Sequence, residues 1–166
     1  GHELKLIDEK YPDALTKTGF LTADFQTLAA QYSKESQGFE AVGATEVYKG
    51  VYGINGEANW TPFVTAMEKD GVKLQKFIGE GANGAAFEKA RQTAGFEPEV
   101  RVYETNFYDQ EFVKAGGTAV DGALITSAFI PMEEADTHPA TQQYLDVMDE
   151  QGGKKALLGM QSTSAG

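Results

Sequence analysis

Along this chain the apolar positions switch repeatedly between two spacings. Short blocks rich in β-branched and aromatic residues, at 17–22, 45–52, 72–78, 99–103 and 122–130, read as strands. Between them, apolar residues recur three and four apart. Residues 24–39 place Phe25, Leu28, Ala29, Tyr32 and Phe39 on or near one helical face. Thr61-Pro62 supplies an N-cap and a proline at the first helical position, ahead of Phe63, Val64 and Met67. Residues 83–94 form a further helix, with Gly95 where a left-handed cap is wanted. A short helix is expected over 109–115, and a last one opens at His138-Pro139, runs through Met148 and ends at Gly152-Gly153. Residues 3–9 read as the tail of a helix that Tyr11-Pro12-Asp13 ends, and from Lys155 the pattern turns helical again. The third strand is the weakest, because Lys73, Gln75 and Lys76 suit a central buried strand poorly.

Strands alternating with helices argue for an α/β fold: a doubly wound, mainly parallel five-stranded sheet with helices on both faces. In such sheets ligands sit at the carboxyl ends of the strands, near the reversal of strand order. The loops to inspect are those after Thr22, Tyr52, Ile78, Tyr103 and Ile130. A chain of 166 residues is the size of one domain and buries about 70% of the surface its unfolded form exposes. The net charge of −11 repels phosphate backbones and anionic membranes, so no nucleic-acid partner is expected. With no cysteine, disulfides, thiolate zinc sites and thiol chemistry are excluded. No apolar run reaches the length of a membrane helix, and no stretch reads as a signal peptide. Gly1-His2 reads as a cloning scar.

The sharpest motif is Gly79-Glu80-Gly81-Ala82-Asn83-Gly84, a literal G-x-G-x-x-G after a strand and opening a helix, with Glu104 at the end of the next strand. One reading is a dinucleotide-binding enzyme domain using Gly79–Gly84. The other is a glycine-rich turn that lets a ligand or backbone approach closely. Against the first, Glu80 puts a carboxylate in the loop that must cradle a pyrophosphate, and 19 glycines make a chance match easy. Glu80 and Glu104, both at strand ends, either face a cationic group of a ligand or are simply solvated. Glu133, Glu134 and Asp136 read as a solvated loop, and His138 as a helix cap. No nucleophile has an activating base at a recognisable spacing, so no catalytic residue, metal site or cofactor is expected. Among the aromatics at strand-to-helix junctions, Trp60 reads as core, while Phe25 and Phe107 suit the lining of a cleft.

Four segments, in order, carry a family resemblance. They are Thr18-Gly-Phe-Leu-Thr-Ala-Asp24; Asn59-Trp-Thr-Pro-Phe-Val64 with Met67 and Gly71; Phe107-Tyr-Asp-Gln-Glu-Phe112 with Lys114-Ala-Gly-Gly117; and Asp121–Pro131 with His138-Pro139. Together they resemble the second lobe of a type I periplasmic solute-binding protein, of the branched-chain amino acid, amide and urea group of ABC importer receptors. The resemblance covers residues 17 to 160 and implies a two-lobed protein of which this chain is mostly one lobe. Residues 1–16 would hold the scar and the connection from the missing first lobe, 17–153 the ligand-binding lobe, and 154–166 the start of the return. It further implies a non-enzymatic receptor, periplasmic or extracellular and membrane-anchored, that hands a small solute to ABC permease subunits. A ligand-sensing lobe of a receptor or regulator shares the pattern. Carried over by position, the ligand-binding residues would be Asp24, Phe25, Glu80, Glu104, Asn106 and Phe107. Amino-acid receptors of the family commonly place a tyrosine where Phe25 stands, so a less polar, aromatic or amide solute is implied beside an amino-acid-like one.

Overall fold

The computed structural model describes residues 2–127 and 129–151. The strands are β1 (Thr18–Ala23), β2 (Glu46–Tyr52), β3 (Leu74–Ile78), β4 (Val100–Tyr103) and β5 (Leu124–Ile125). They pair only in parallel, in the order β2-β1-β3-β4-β5. The helices are α1 (His2–Lys10), α2 (Pro12–Leu15), α3 (Gln26–Glu40), α4 (Thr61–Lys69), α5 (Gly81–Ala94), α6 (Gln110–Gly116) and α7 (Pro139–Glu150). The α/β, five-stranded parallel architecture is therefore the expected one. The expected return segment from Lys154, and the Gly152-Gly153 stop, lie outside the described residues.

Each sheet face has its own core. Ile7, Ala14, Leu15 and Phe39 pack with Phe20, Leu74, Ile78, Val100 and Val102 on the α1–α3 side. Val64, Met67, Phe87 and Phe112 pack with Leu21, Tyr52, Phe77 and Tyr103 on the α4–α6 side. Strand alternation explains the division: Leu74 and Ile78 face one way, Phe77 the other. Residues 7, 14 and 15, read from sequence as connection, are thus part of this core. Gly95 acts as expected, whereas Thr61, read as the N-cap of α4, is its first helical residue and Trp60 stands at the cap. Gly95 closes α5 in the left-handed conformation at φ 73°, and Asp109 caps α6 by accepting from Glu111 N at 2.9 Å.

Two elements differ from the sequence reading. β3, judged poor for the middle of a sheet, is its middle strand and buried throughout. Its polar side chains are tolerated because they are paired. Gln75 Nε2 donates to Glu88 Oε1 at 2.9 Å and to Tyr103 Oη at 3.1 Å, and Lys76 meets Glu35 and Glu104. β5 is two residues long, not nine. β4 ends at Tyr103, whose carbonyl accepts from Thr126 N at 2.9 Å, and the chain then leaves its neighbour for a turn at Ser127. At the other end Arg101 binds the Asp121 carbonyl and Gly122 turns at φ 79°.

One buried carboxylate joins α5 to the sheet. Glu88, 0% exposed, accepts from Arg91 Nε at 2.7 Å, Arg101 Nη1 at 2.6 Å, Gln75 and Tyr103. The two guanidiniums also donate to the carbonyls of Phe96, Ala119 and Asp121, and Arg91 Nη1 pairs with the exposed Glu97 at 2.8 Å. Removing the carboxylate takes the buried counter-charge from Arg101 and leaves Arg91 with Glu97 at the surface. Glu88→Ala is expected to cost about 3–5 kcal/mol in urea unfolding, and a loss below about 1 kcal/mol, the value of an ordinary surface pair, would show that Glu88 is not the joint.

Candidate functional site at the carboxyl edge of the sheet

The strand order reverses between β1 and β3. From β1 the chain goes outward to β2, then returns to place β3 on the other side. A parallel sheet with this order opens a crevice at the β1/β3 carboxyl ends. Three turns meet along that edge: Asp24-Phe25 after β1, Gly79-Glu80 after β3, and Glu104–Phe107 after β4. Asn106 ties the last two together, its Nδ2 donating to the Gly79 carbonyl at 2.8 Å.

The first two turns lead into helices whose N-termini have no side-chain cap. Phe25 is the extended N-cap of α3, and Glu80 that of α5. Neither helix carries an acidic residue in its first turn. Their leading N–H groups therefore remain as donors at the edge, where a helix dipole favours negative charge. Acceptors stand beside them, since Asp24 and Glu80 are exposed carboxylates. The Phe25 ring is 53% exposed. The edge thus offers donors, acceptors and an apolar surface together, a set suited to a small solute that carries both polarities.

Glu104 is half-buried, its carboxylate paired with Lys76. Phe107 corrects the sequence reading. It is 0% exposed and lies in the core, edge-on to Phe77 at 5.8 Å and to Phe112 at 5.1 Å. The single turn of 3₁₀ helix over Thr105–Phe107 rolls its side chain inward, into the core.

The glycine motif serves internal packing. A Cβ on Gly79 would collide with the Tyr52 hydroxyl, and one on Gly84 would come within 2.5 Å of the Phe107 ring. Asn83 holds the loop after β2, donating to the Ile54 carbonyl at 3.3 Å. Tyr52, Lys76 and Glu35 were not singled out from the sequence. A lysine inside an apolar strand was the available signal, since a buried lysine needs a partner. A concavity of about 550 Å³ lies elsewhere, between α1 and the β4–β5 edge, lined by Leu6, Ile7, Val102, Leu124 and Ile125. A smaller one of about 260 Å³, beside the third turn, includes Phe107, Tyr108, Val113 and Glu133. Among the described residues no group of three or more His, Asp or Glu side chains is placed to hold a metal ion.

Burial pushes the Tyr52 hydroxyl up to about 12. Its proton is held more tightly in the fold than in the unfolded chain. The stability this contributes is complete below pH about 10, the ordinary tyrosine value, and is lost as pH rises through 12. Denaturant unfolding across that range should show a stability loss that Tyr52→Phe reduces; an identical loss in the variant would exclude Tyr52 as its source. Gly79→Ala is expected to destabilise by about 1–3 kcal/mol through overpacking. Adding Tyr52→Phe should recover part of that, and strict additivity of the two changes would rule out the contact.

A family model described as periplasmic binding protein matches residues 13–165. No curated protein matches the chain. Among solved structures, a candidate branched-chain amino acid ABC transporter from Rhodospirillum rubrum superposes with a TM-score of 0.76 at 15% identity, over 92% of this chain and 42% of that one. A leucine-, isoleucine-, valine-, threonine- and alanine-binding protein from Brucella ovis, in a closed conformation, gives 0.70 at 16% identity, over 89% and 36%. A leucine binding protein from Thermotoga maritima gives 0.68 at 17% identity, over 90% and 42%. At these identities the likeness is one of fold. This chain spans about two-fifths of the length of those proteins.

Proposed function

The chain belongs to the periplasmic binding protein family, and from that premise we propose that it is one lobe of a two-lobed, extracytoplasmic solute receptor serving an ABC importer. The observation that carries the reading is the carboxyl edge. Phe25 is left half-open beside two uncapped helix N-termini and the carboxylates of Asp24, Glu80 and Glu104. The solute class that fits is small and polar at both ends, amino-acid-like or an aromatic amide. Helix N–H groups take its anionic or carbonyl oxygen, carboxylates take its N–H donors, and Phe25 covers an apolar side. Asn106 contributes by fixing Gly79, and Phe107 by filling the floor beneath.

The mechanism is binding and closure. Small-molecule sites bury 70–90% of their ligand. One exposed edge provides only part of that contact, so a second lobe closing over the solute completes it. The solute stabilises the closed arrangement by its differential affinity, and the closed form is what permease subunits would recognise.

Calorimetry tests both halves of the reading, with L-leucine, L-phenylalanine, benzamide and urea as probes. The 166-residue chain alone is expected to bind none of them at micromolar affinity or better; tighter binding would mean that the site is complete without a second lobe. In a two-lobed receptor carrying this lobe, Phe25→Ala is expected to weaken the preferred solute at least about tenfold, or about 1.4 kcal/mol. Unchanged affinity would remove Phe25 from the site.

A further inference from the structure

The sheet has two outer strands, and they end it differently. β2 is seven residues long and exposes the charged side chains of Glu46 and Lys49. Charges are a common guard on a strand edge, whose row of free N–H and C=O groups otherwise invites pairing. β5 has no such guard. Residues 123–127 are Ala-Leu-Ile-Thr-Ser, without a charge, and among the described residues no strand pairs beyond β5. Thr126 N donates to the Tyr103 carbonyl at 2.9 Å, and the Thr126 carbonyl accepts from Thr105 Oγ1 at 2.7 Å. The backbone groups of Thr126 therefore face β4. Successive residues of a strand turn these groups to opposite sides, so Ile125 presents its N–H and C=O outward.

Concavities lie on both faces of this edge. Val102 and Leu124 pair in register on the α1 face, and with Leu6 they line the concavity of about 550 Å³. Tyr103 and Ile125 pair on the α6 face, where Ile125 and Val113 line the one of about 260 Å³. Leu6, Leu124 and Val113 are 46%, 37% and 54% exposed. An apolar band thus runs from α1 over the end of the sheet to α6. One strand added beside β5 would reach both concavities, since its side chains alternate between the two faces.

We propose that the β5 edge is a docking surface for an extended, uncharged segment of the rest of a two-lobed protein, which pairs with β5 as a sixth strand and sends alternate aliphatic side chains into the two concavities. This rests on reading the chain as one lobe of a longer protein, and not on what the carboxyl edge binds. The structural relatives are more than twice as long as the stretch this chain matches, so over half of such a protein lies outside it. Tethering gives such a segment a high effective concentration, so that a two-residue edge is enough to hold it. A second copy lacks that help. It meets a net charge of −11 on each chain, and β5 gives it little backbone to pair with. The segment is uncharged because a charge set among Leu6, Val102, Val113 and Ile125 loses hydration without a partner.

Hydrogen exchange followed by NMR reads the Ile125 amide directly. In a two-lobed receptor carrying this lobe it is expected to exchange at least about fivefold more slowly than in the 166-residue chain, the factor that a hydrogen bond of ordinary net strength supplies. Leu124→Lys should return the receptor's Ile125 to the rate of the shorter chain, while lowering the urea midpoint more in the receptor than in that chain. Val113→Lys, on an exposed position of the other face, should act in the same direction and carries the test if Leu124→Lys does not fold. Equal Ile125 exchange in the two proteins overturns the docking, and so does an Ile125 already protected in the monomeric shorter chain. Protection in the shorter chain that is lost on dilution, with a dimer in sedimentation, overturns it in favour of a second copy. A receptor with Ile125 protected that binds none of L-leucine, L-phenylalanine, benzamide and urea supports the docking and counts against the proposed solute class. A receptor that binds one of them with Ile125 unprotected overturns the docking alone.

Discussion

The fold hangs on one carboxylate in a place where carboxylates rarely go. Glu88 sits inside α5 with no exposure, and four side chains converge on it from α5, β3 and β4. A charge taken out of water loses several kcal/mol of hydration unless every lone pair finds a donor. Here they do, and the arginines that supply them extend the joint to the carbonyls of Phe96, Ala119 and Asp121. The result is a fixed seat for α5. Since Glu80 and Gly79 immediately precede that helix, the seat also fixes where the central turn of the carboxyl edge lies. Apolar packing alone lets a helix slide along its groove; a set of directed hydrogen bonds does not.

β3 carries a polar residue toward each face, and the two serve different ends. Gln75 belongs to the Glu88 joint and is remote from solvent. Lys76 points to the other face and toward the edge, where both its carboxylate partners touch water. A single strand therefore links the element that holds the fold together with the one beneath its open surface. The aromatic residues follow the same division of labour. Tyr52, Trp60, Phe77, Tyr103 and Phe107 form a continuous set of ring contacts inside, and Phe25 is left outside.

Much of this was legible in the chain. The alternation of spacings gave the five strands and their crossovers, and Gly95 announced a helix end through its own local chemistry. What escaped was set by partners distant in sequence. The length of β5 depends on where β4 stops, which no property of residues 124–130 encodes. The place of β3 depends on Glu88 and Glu35, each offering a counter-charge from another element, so its lysine and glutamine argued wrongly for an outer position. Phe107 was misread because a junction position says only that a residue lies near the edge. Its direction follows from one turn of 3₁₀ helix. The three turns of the candidate site were found because topology alone places them. The ammonium beneath them was not, because its position is a matter of side-chain reach.

The strand order carries a consequence for how the chain reaches its fold. β1 is flanked on both sides by strands that follow it in the chain, and among the described residues no strand pairs with one more than two strands away in sequence. Each parallel pairing closes over one crossover, or two for β1 with β3, loops whose closure entropy grows only slowly with length. Assembly can therefore proceed outward from β1 as each helix–strand unit emerges, with no early strand left waiting for a partner from the far end of the chain. A sheet of this order is expected to sit in the intermediate range of contact order, and to hide its most apolar strand edges early, which limits the time they spend open to neighbouring chains.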